Sequence, residues 1–330
     1  MIVNDCFNQI QMGIYMNKLI EKIEESDSIA LFGHMNPDGD CVGSCLGLYN
    51  YIRDNYADKQ VIVYIQPIVE KFRFLKGASE VVSIPDGKIY DLGISLDCGD
   101  TDRHGEFGSI YKSARYTICF DHHRSNEGFG DYFVCEPDSS SCCEVLFSFL
   151  DYDSISKECA EALYLGIVHD TGVFKYQATS EATMTIAGKL IAKGARSQYV
   201  IDETFYKVTY NQNRLTGRVL LDAKRYLDDR VIAACITREI FDEYNTSKDD
   251  TDGIIDKLRV TDGVEVAILA YQKGENLFKY SLRSVRKIDV SAIAVAFGGG
   301  GHIRAAGFDA EGAFEDNLTR ILEMIDKQGL

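Results

Sequence analysis

The sequence predicts an α/β protein: an N-terminal parallel sheet flanked by helices, joined by a helical linker to a smaller C-terminal α/β domain with a mixed sheet. Three observations predict it. Short apolar runs alternate with helical patterns through the first half, acidic and histidine clusters follow three of those runs directly, and further strand patterns return near the C-terminus.

Residues 1–16 read as an amphipathic or frayed lead-in, and from Lys18 the "LIEKIEES" pattern predicts a helix. "SIALF" (28–32), "VIVYI" (61–65), "DLGISL" (91–96) and "YTICF" (116–120) predict strands. They are near-continuous apolar runs, as strands buried on both faces of a parallel sheet must be. "VGSCLGLYNYIRDN" is the clearest intervening helix, and "SSSCCEVLFSFLDY" and "CAEALYLGIVHDTG" predict two more, the second stopped by its Thr-Gly. Residues 182–213 form a helical, mixed-charge passage with few candidate strands. Beyond it, "RVIAACIT", "GVEVAILAYQ" and "NLFKYSLRS" predict strands, the last two joined by a turn at "KGEN". "DVSAIAVAF" predicts a helix capped by Asp289 and ended by glycines.

The chain has 330 residues, 45% hydrophobic and 26% charged, enough for two domains that each bury a core. A net charge of -16 opposes binding to long duplex nucleic acid, which needs a broad basic face. Short nucleotides need only a few local cations. The ten cysteines lack C-x-x-C spacing and no signal-peptide pattern opens the chain, so they are expected as reduced, mostly buried thiols in a cytoplasmic protein. No apolar stretch approaches the roughly 20 residues of a membrane span, so no membrane association is expected. A homodimer is compatible with these features.

The chemistry lies at the strand ends. "GHMNPDGD" follows the first strand, "DCGD" the third and "DHH" the fourth. Ligands of open parallel sheets bind at that edge, so residues remote in sequence can converge there. Asp170, near a helix end, can join them. In the turn after His34, Asp38 and Asp40 can point to different ions, and Asp97 is the natural bridge for a pair of cations, which needs a shared carboxylate. Carboxylates with two imidazoles and no thiolate favour manganese or magnesium over a structural zinc. Near the C-terminus, "FGGGGHIRAAGF" (297–308) sets a glycine run before His302 and Arg304. Glycines let backbone N–H groups approach a phosphate closely, and with Arg283 this loop would form a phosphate clamp.

In this order the motifs "GHMNPDGDCVGS", "LDCGDTDR", "DHHRSN", "GIVHDTGVFKYQAT" and "SLRS…DVSAIAVAFGGGGHIRAAG" resemble the DHH phosphoesterase family with its DHH-associated C-terminal domain. The match spans nearly the whole chain, and the "GGGGHxxAAG" ending is most similar to the nanoRNase and 3'-phosphoadenosine 5'-phosphate phosphatase type. The resemblance implies a DHH catalytic domain at 1–188, a helical linker at 189–216 and a substrate-binding domain at 217–330. It implies one manganese on His34, Asp38 and Asp97, and a second on Asp40, Asp97, His122 and Asp170, with Mg2+ and Co2+ as alternatives. Asp121 would orient its neighbours, His123 would face the scissile phosphate, and Arg103 would lie near it. Arg283, the Gly299, Gly300 and Gly301 backbone and His302 would hold the far end of the substrate. The implied reaction is hydrolysis of short oligonucleotides or linear dinucleotides to mononucleotides, and of the adenosine bisphosphate. Cyclic-dinucleotide cleavage is the nearest alternative. A manganese pyrophosphatase is disfavoured by the glycine-His ending, and a non-catalytic nucleotide sensor by the full set of ligand positions.

Overall fold

In a computed structural model of the chain, residues 18–330 are described, and the lead-in expected at residues 1–16 lies outside them. The chain divides into two compact units, Met1–Lys207 and Val208–Leu330.

The N-terminal unit opens with a helix at 18–25 (α1). It continues as β1 (Ser28–Phe32), α2 (Gly39–Asn55), β2 (Gln60–Tyr64), β3 (Leu92–Leu96), α3 (Gly108–Ser113), β4 (Tyr116–Asp121), β5 (Tyr132–Cys135), α4 (Cys142–Phe147), α5 (Lys157–Asp170), α6 (Glu181–Ala192) and α7 (Ser197–Ile201). The five strands are all parallel, in the order β2-β1-β3-β4-β5. Alternate β1 residues serve opposite cores: Ile29 and Leu31 pack with α2 and α5, whereas Ala30 and Phe32 pack with Tyr64, Phe107 and Tyr111. A sheet covered on both faces explains why its strands read as unbroken apolar runs.

Strand order reverses direction between β1 and β3, which makes the gap beyond their carboxyl ends a topological switch point where such sheets open a crevice. Two helices frame that gap, and glycine sets their spacing. A Cβ on Gly43 of α2 would stand 2.6 Å from the Ala162 carbonyl and 2.8 Å from the Gly166 nitrogen of α5. Backbone therefore meets backbone, and the first turn of α2, carrying Asp40, is drawn against the last turns of α5, which end in Asp170.

The C-terminal unit runs α8 (Tyr210–Asp222), β6 (Lys224–Tyr226), β7 (Val231–Ile236), α9 (Arg238–Tyr244), α10 (Ile254–Arg259), β8 (Val266–Gly274), β9 (Leu277–Ser284), α11 (Val290–Ala296), β10 (Gly300–His302), β11 (Ala305–Glu311) and α12 (Phe314–Asp326). Its six strands lie in the order β10-β11-β9-β8-β7-β6, parallel only at β7/β8. The mixed sheet predicted from sequence is thus present. Val231, Ile268, Tyr280 and Phe308 share one core with α11 and α12, and Ile232, Ala267 and Leu269 share another with α8 and α10.

Three local features differ from the sequence reading. The helix expected across 139–152 is confined to Cys142–Phe147. Two short strands, β5 and β6, carry no pattern strong enough to predict. The glycine run read as a loop is half strand: Gly300 pairs with Gly307, Gly301 with Ala306 and His302 with Ala305. A Cβ on Gly299 would stand 2.3 Å from the Gly307 carbonyl, so this glycine serves close approach of two backbones. Among the described residues no helix is long and apolar enough to cross a membrane.

Candidate metal centre

Each acidic and histidine cluster singled out in the N-terminal half sits where a strand or helix ends at the switch point. β1 ends at Phe32, and the chain turns through His34 to Asp38, the N-cap of α2. Asp38 Oδ1 accepts from the Asp40 and Cys41 amides, both at 3.1 Å, which fixes the turn. The His34 ring is oriented by its Nδ1–H, which donates to the Met35 carbonyl at 2.8 Å. Its Nε2 then faces Asp38 Oδ1 at 3.7 Å and Asp97 Oδ2 at 3.5 Å.

Asp97 follows β3 with a positive φ of 59°, a left-handed conformation that Asp tolerates better than most residues and that often marks a functional site. Its amide donates to the Phe120 carbonyl at 3.0 Å, tying the end of β3 to that of β4. His122, just beyond β4, directs Nε2 toward Asp97 Oδ1 at 3.6 Å, Asp40 Oδ2 at 3.7 Å and Asp170 Oδ2 at 3.1 Å.

Three groups of ligand atoms, each within 4.8 Å of one another, emerge: Asp97, His122 and His123, and two sets with no residue in common, His34, Asp38 and Asp97, and Asp40, His122 and Asp170. Asp97 stands between them. Asp97 Oδ1 is buried without any hydrogen-bond partner, although burying an unpaired carboxylate oxygen is costly. Five aspartates (38, 40, 97, 121 and 170) meet here, with imidazoles as their only basic neighbours at salt-bridge distance among the described residues. An oxygen-rich donor set with two imidazoles fits a pair of hard or borderline divalent cations.

The electrostatics report the same excess of negative charge. Burial would lower the pKa of His34, but its bonds to Asp38 and Asp97 override this and raise it. Burial likewise opposes the rise of His122 to about 10, which Asp170, Asp40 and Asp97 drive. Burial pushes the Asp97 carboxyl up to about 6 despite the His34 contact. Asp40 is raised as well, by burial and then by the charges of Asp97 and Asp170.

Two supports were not foreseen from the sequence. Asp40 accepts from the Cys142 and Cys143 amides at 2.6 and 3.0 Å, so α4 orients a buried carboxylate. The turn before α4 is pinned in turn by buried Glu144, which accepts from Ser140 Oγ at 2.5 Å and Thr183 Oγ1 at 2.7 Å. The Asp40 and Thr183 links have no sequence signal, because both join distant segments.

His123 shares a group with Asp97 and His122, but its nearest partner is Asp121. Its Nδ1 lies 2.7 Å from Asp121 Oδ1, and Asp121 Oδ2 accepts from Asn126 Nδ2 at 2.7 Å. Burial works against an ionised Asp121, yet the bonds from His123 and Asn126 hold its pKa below the usual range. An ionised Asp121 makes His123 Nδ1–H the donor, and Asp121 in turn raises the pKa of His123. Arg103 is exposed, and its carbonyl accepts at 2.8 Å from the amide of Met35, next to His34 in the chain.

The C-terminal residues gather separately, on their own sheet. His302 pairs with Ala305 and Ala305 with Arg283, so all three occupy one row across β10, β11 and β9. The next row holds Gly300, Gly307 and Ser281. Rows two residues apart share a face, which therefore presents a cation and an imidazole beside almost no side-chain bulk. Arg304 is structural here: its guanidinium donates to the Ile288 carbonyl at 3.0 Å.

The comparisons agree with this division. Residues 28–167 match the DHH family N-terminal domain and residues 228–328 the DHHA1 domain. The chain is 26% identical over 307 residues to the bifunctional oligoribonuclease and PAP phosphatase NrnA of Thermus thermophilus, covering 90% of each chain. It is 24% identical to the protein of that name from Bacillus subtilis, covering 88% of this chain and 91% of that one. A crystal structure of an exopolyphosphatase-related protein from Bacteroides fragilis superposes with a TM-score of 0.82 at 26% identity over 96% of both chains. With the domain pair and the converging strand-end residues together, the chain belongs to the DHH family of phosphoesterases.

Proposed function

We propose that the protein is a two-metal phosphoesterase that hydrolyses short oligoribonucleotides and linear dinucleotides to mononucleotides, and also 3'-phosphoadenosine 5'-phosphate. The observation that carries the metal part is Asp97, a buried carboxylate whose Oδ1 has no hydrogen-bond partner and whose two oxygens face His34 and His122. The substrate class rests on relatives named as oligoribonuclease and PAP phosphatase, which the chain matches over about nine-tenths of both lengths.

In this reading His34, Asp38 and Asp97 hold one cation, and Asp40, Asp97, His122 and Asp170 the other, with manganese or magnesium suited to the donors. Such a pair, when bound, supplies a nucleophile from water at neutral pH and offsets charge on the phosphate. The chain's own residues do the rest. His123, braced by Asp121 and Asn126, turns its Nε2 to the phosphate or the leaving oxygen, where a charged donor favours bond breaking. Arg103 adds positive charge near the phosphate. In the C-terminal unit, Arg283 and His302 grip a phosphate or base against the glycine face. The catalytic pair is thus Asp97 and His123, with Arg103, Arg283, Gly299, Gly300, Gly301 and His302 as substrate contacts.

The test is a comparison of initial rates with manganese on RNA of two to five residues, the adenosine bisphosphate, and linear and cyclic dinucleotides. Fast release of mononucleotides from the shortest RNA supports the reading. Cyclic-di-AMP phosphodiesterase GdpP of Bacillus subtilis is 24% identical to the chain, which spans 50% of its length, so preferential opening of cyclic dinucleotides would move the assignment there. No turnover of any of these would falsify it.

A further inference from the structure

The end of the N-terminal unit carries aromatic side chains that the metal ligands do not use. After α7 the backbone widens into a single π-type turn at Asp202–Tyr206, closed by the Lys207 amide donating to the Asp202 carbonyl at 2.7 Å. Such a turn inserts an extra residue and re-aims the side chains around it, commonly beside functional sites. Thr204 points inward, its hydroxyl donating to the Val200 carbonyl at 2.8 Å. Phe205 and Tyr206 remain 37% and 65% exposed.

The exposed Phe205 is not isolated. Its ring centroid lies 4.5 Å from that of His169, whose other neighbour is Phe72, edge-on at 4.9 Å. The imidazole in the middle is wedged against the turn between Asp38 and Asp40: a Cβ on Gly39 would stand 2.1 Å from His169 Cγ. His169 also immediately precedes Asp170. Phe205 is therefore one ring away from three of the six candidate ligands. At the other end of the row, the Lys71 ammonium lies 5.2 Å from the Phe72 ring centroid. Lys71 is exposed and makes no ion pair among the described residues. A cation, three rings and a half-exposed aromatic face thus flank the ligand carboxylates.

We propose that Phe205 and Lys71 form a nucleotide subsite, in which the base next to the scissile phosphate stacks on Phe205 while Lys71 offsets the charge of the phosphate chain. This rests on the function proposed above. Stacking on an aromatic face accepts any base, so the subsite recognises single-stranded nucleic acid as a class and not one sequence.

The experiment compares an RNA dinucleotide with the same molecule made abasic at either position, using the manganese-loaded wild type, Phe205→Ala, Phe205→Leu and Phe205→Trp. Expected for Phe205→Ala is a KM about tenfold higher on the intact dinucleotide, equivalent to about 1.4 kcal/mol, with kcat within about twofold. The abasic substrate that leaves the subsite empty responds to none of the three Phe205 substitutions. Trp restores the wild-type KM and Leu does not, because Leu supplies bulk without a π face. Lys71→Gln raises KM on every oligonucleotide and weakens its dependence on salt. Equal losses on intact and abasic substrates, rescue by Leu, or an indifferent Phe205→Ala each overturn the subsite while leaving the phosphoesterase reading intact. A wild type that turns over neither dinucleotides, nor RNA of three to five residues, nor the adenosine bisphosphate overturns that reading and the subsite with it.

Discussion

Asp97 faces two histidines at once, with Oδ2 3.5 Å from His34 Nε2 and Oδ1 3.6 Å from His122 Nε2. A single carboxylate thereby joins ligand sets that come from different strands.

Substitution of Asp97 by Asn keeps the shape and tolerates the left-handed backbone but removes the charge. Activity should fall on the order of 10³-fold, and both ions should be lost together. Metal content per chain, measured beside turnover, checks this. Retention of two ions would show that Asp97 does not bridge.

His123 is bonded to Asp121 and is assigned to the substrate in the function proposed above, so its removal should separate binding from chemistry. His123→Ala should lower kcat roughly 10²- to 10⁴-fold with metal content unchanged. Asp121→Asn, which leaves the imidazole in place but poorly oriented, should cost about 10- to 100-fold. Both follow from steady-state rates alongside elemental analysis.

Adjacent glycines in the C-terminal run should behave differently. A Cβ at Gly299 meets the Gly307 carbonyl at 2.3 Å, whereas nothing lies within 4 Å of one at Gly300. Gly299→Ala should destabilise the unit by about 1–3 kcal/mol, and Gly300→Ala should stay within about 0.5 kcal/mol. Denaturant melts of the two variants decide it.

His104 predicts a loss of stability in mild acid. It is buried, with Nε2 2.8 Å from Ser95 Oγ, and burial lowers its pKa to about 4. Between the unfolded value near 6.5 and about 4, the unfolded chain binds the extra proton. Stability is therefore fully present above pH 6.5 and falls as the pH drops, by roughly 3 kcal/mol in all. His104→Gln should flatten this part of the profile.

The sequence made most of the N-terminal fold legible because parallel strands with both faces covered must be apolar throughout. β1 to β4 announce themselves in that way. β5 is four residues long and β6 three, too short for any pattern to stand out. His34, Asp38, Asp40, Asp97, His122 and Asp170 were legible because each stands at the end of an element. The groups that hold them were not: the Cys142 and Cys143 amides, Glu144 and the His169 wedge act across long sequence separations and leave no local mark. The glycine run showed its need for freedom in the sequence, but its pairing with Ala305–Gly307 rests on a register that spacing alone does not give. The thiols were legible in kind, since seven of the nine described cysteines are buried and none is bonded to another.

The glycine contact between α2 and α5 has a bearing on how the centre is born. Asp40 and Asp170 are separated by 130 positions, and they become neighbours only once those two rods have docked through Gly43 and Gly166. A chain still emerging from the ribosome therefore lacks one side of the proposed ligand set, and under the function proposed above retention of metal during dialysis would gauge whether that docking is complete.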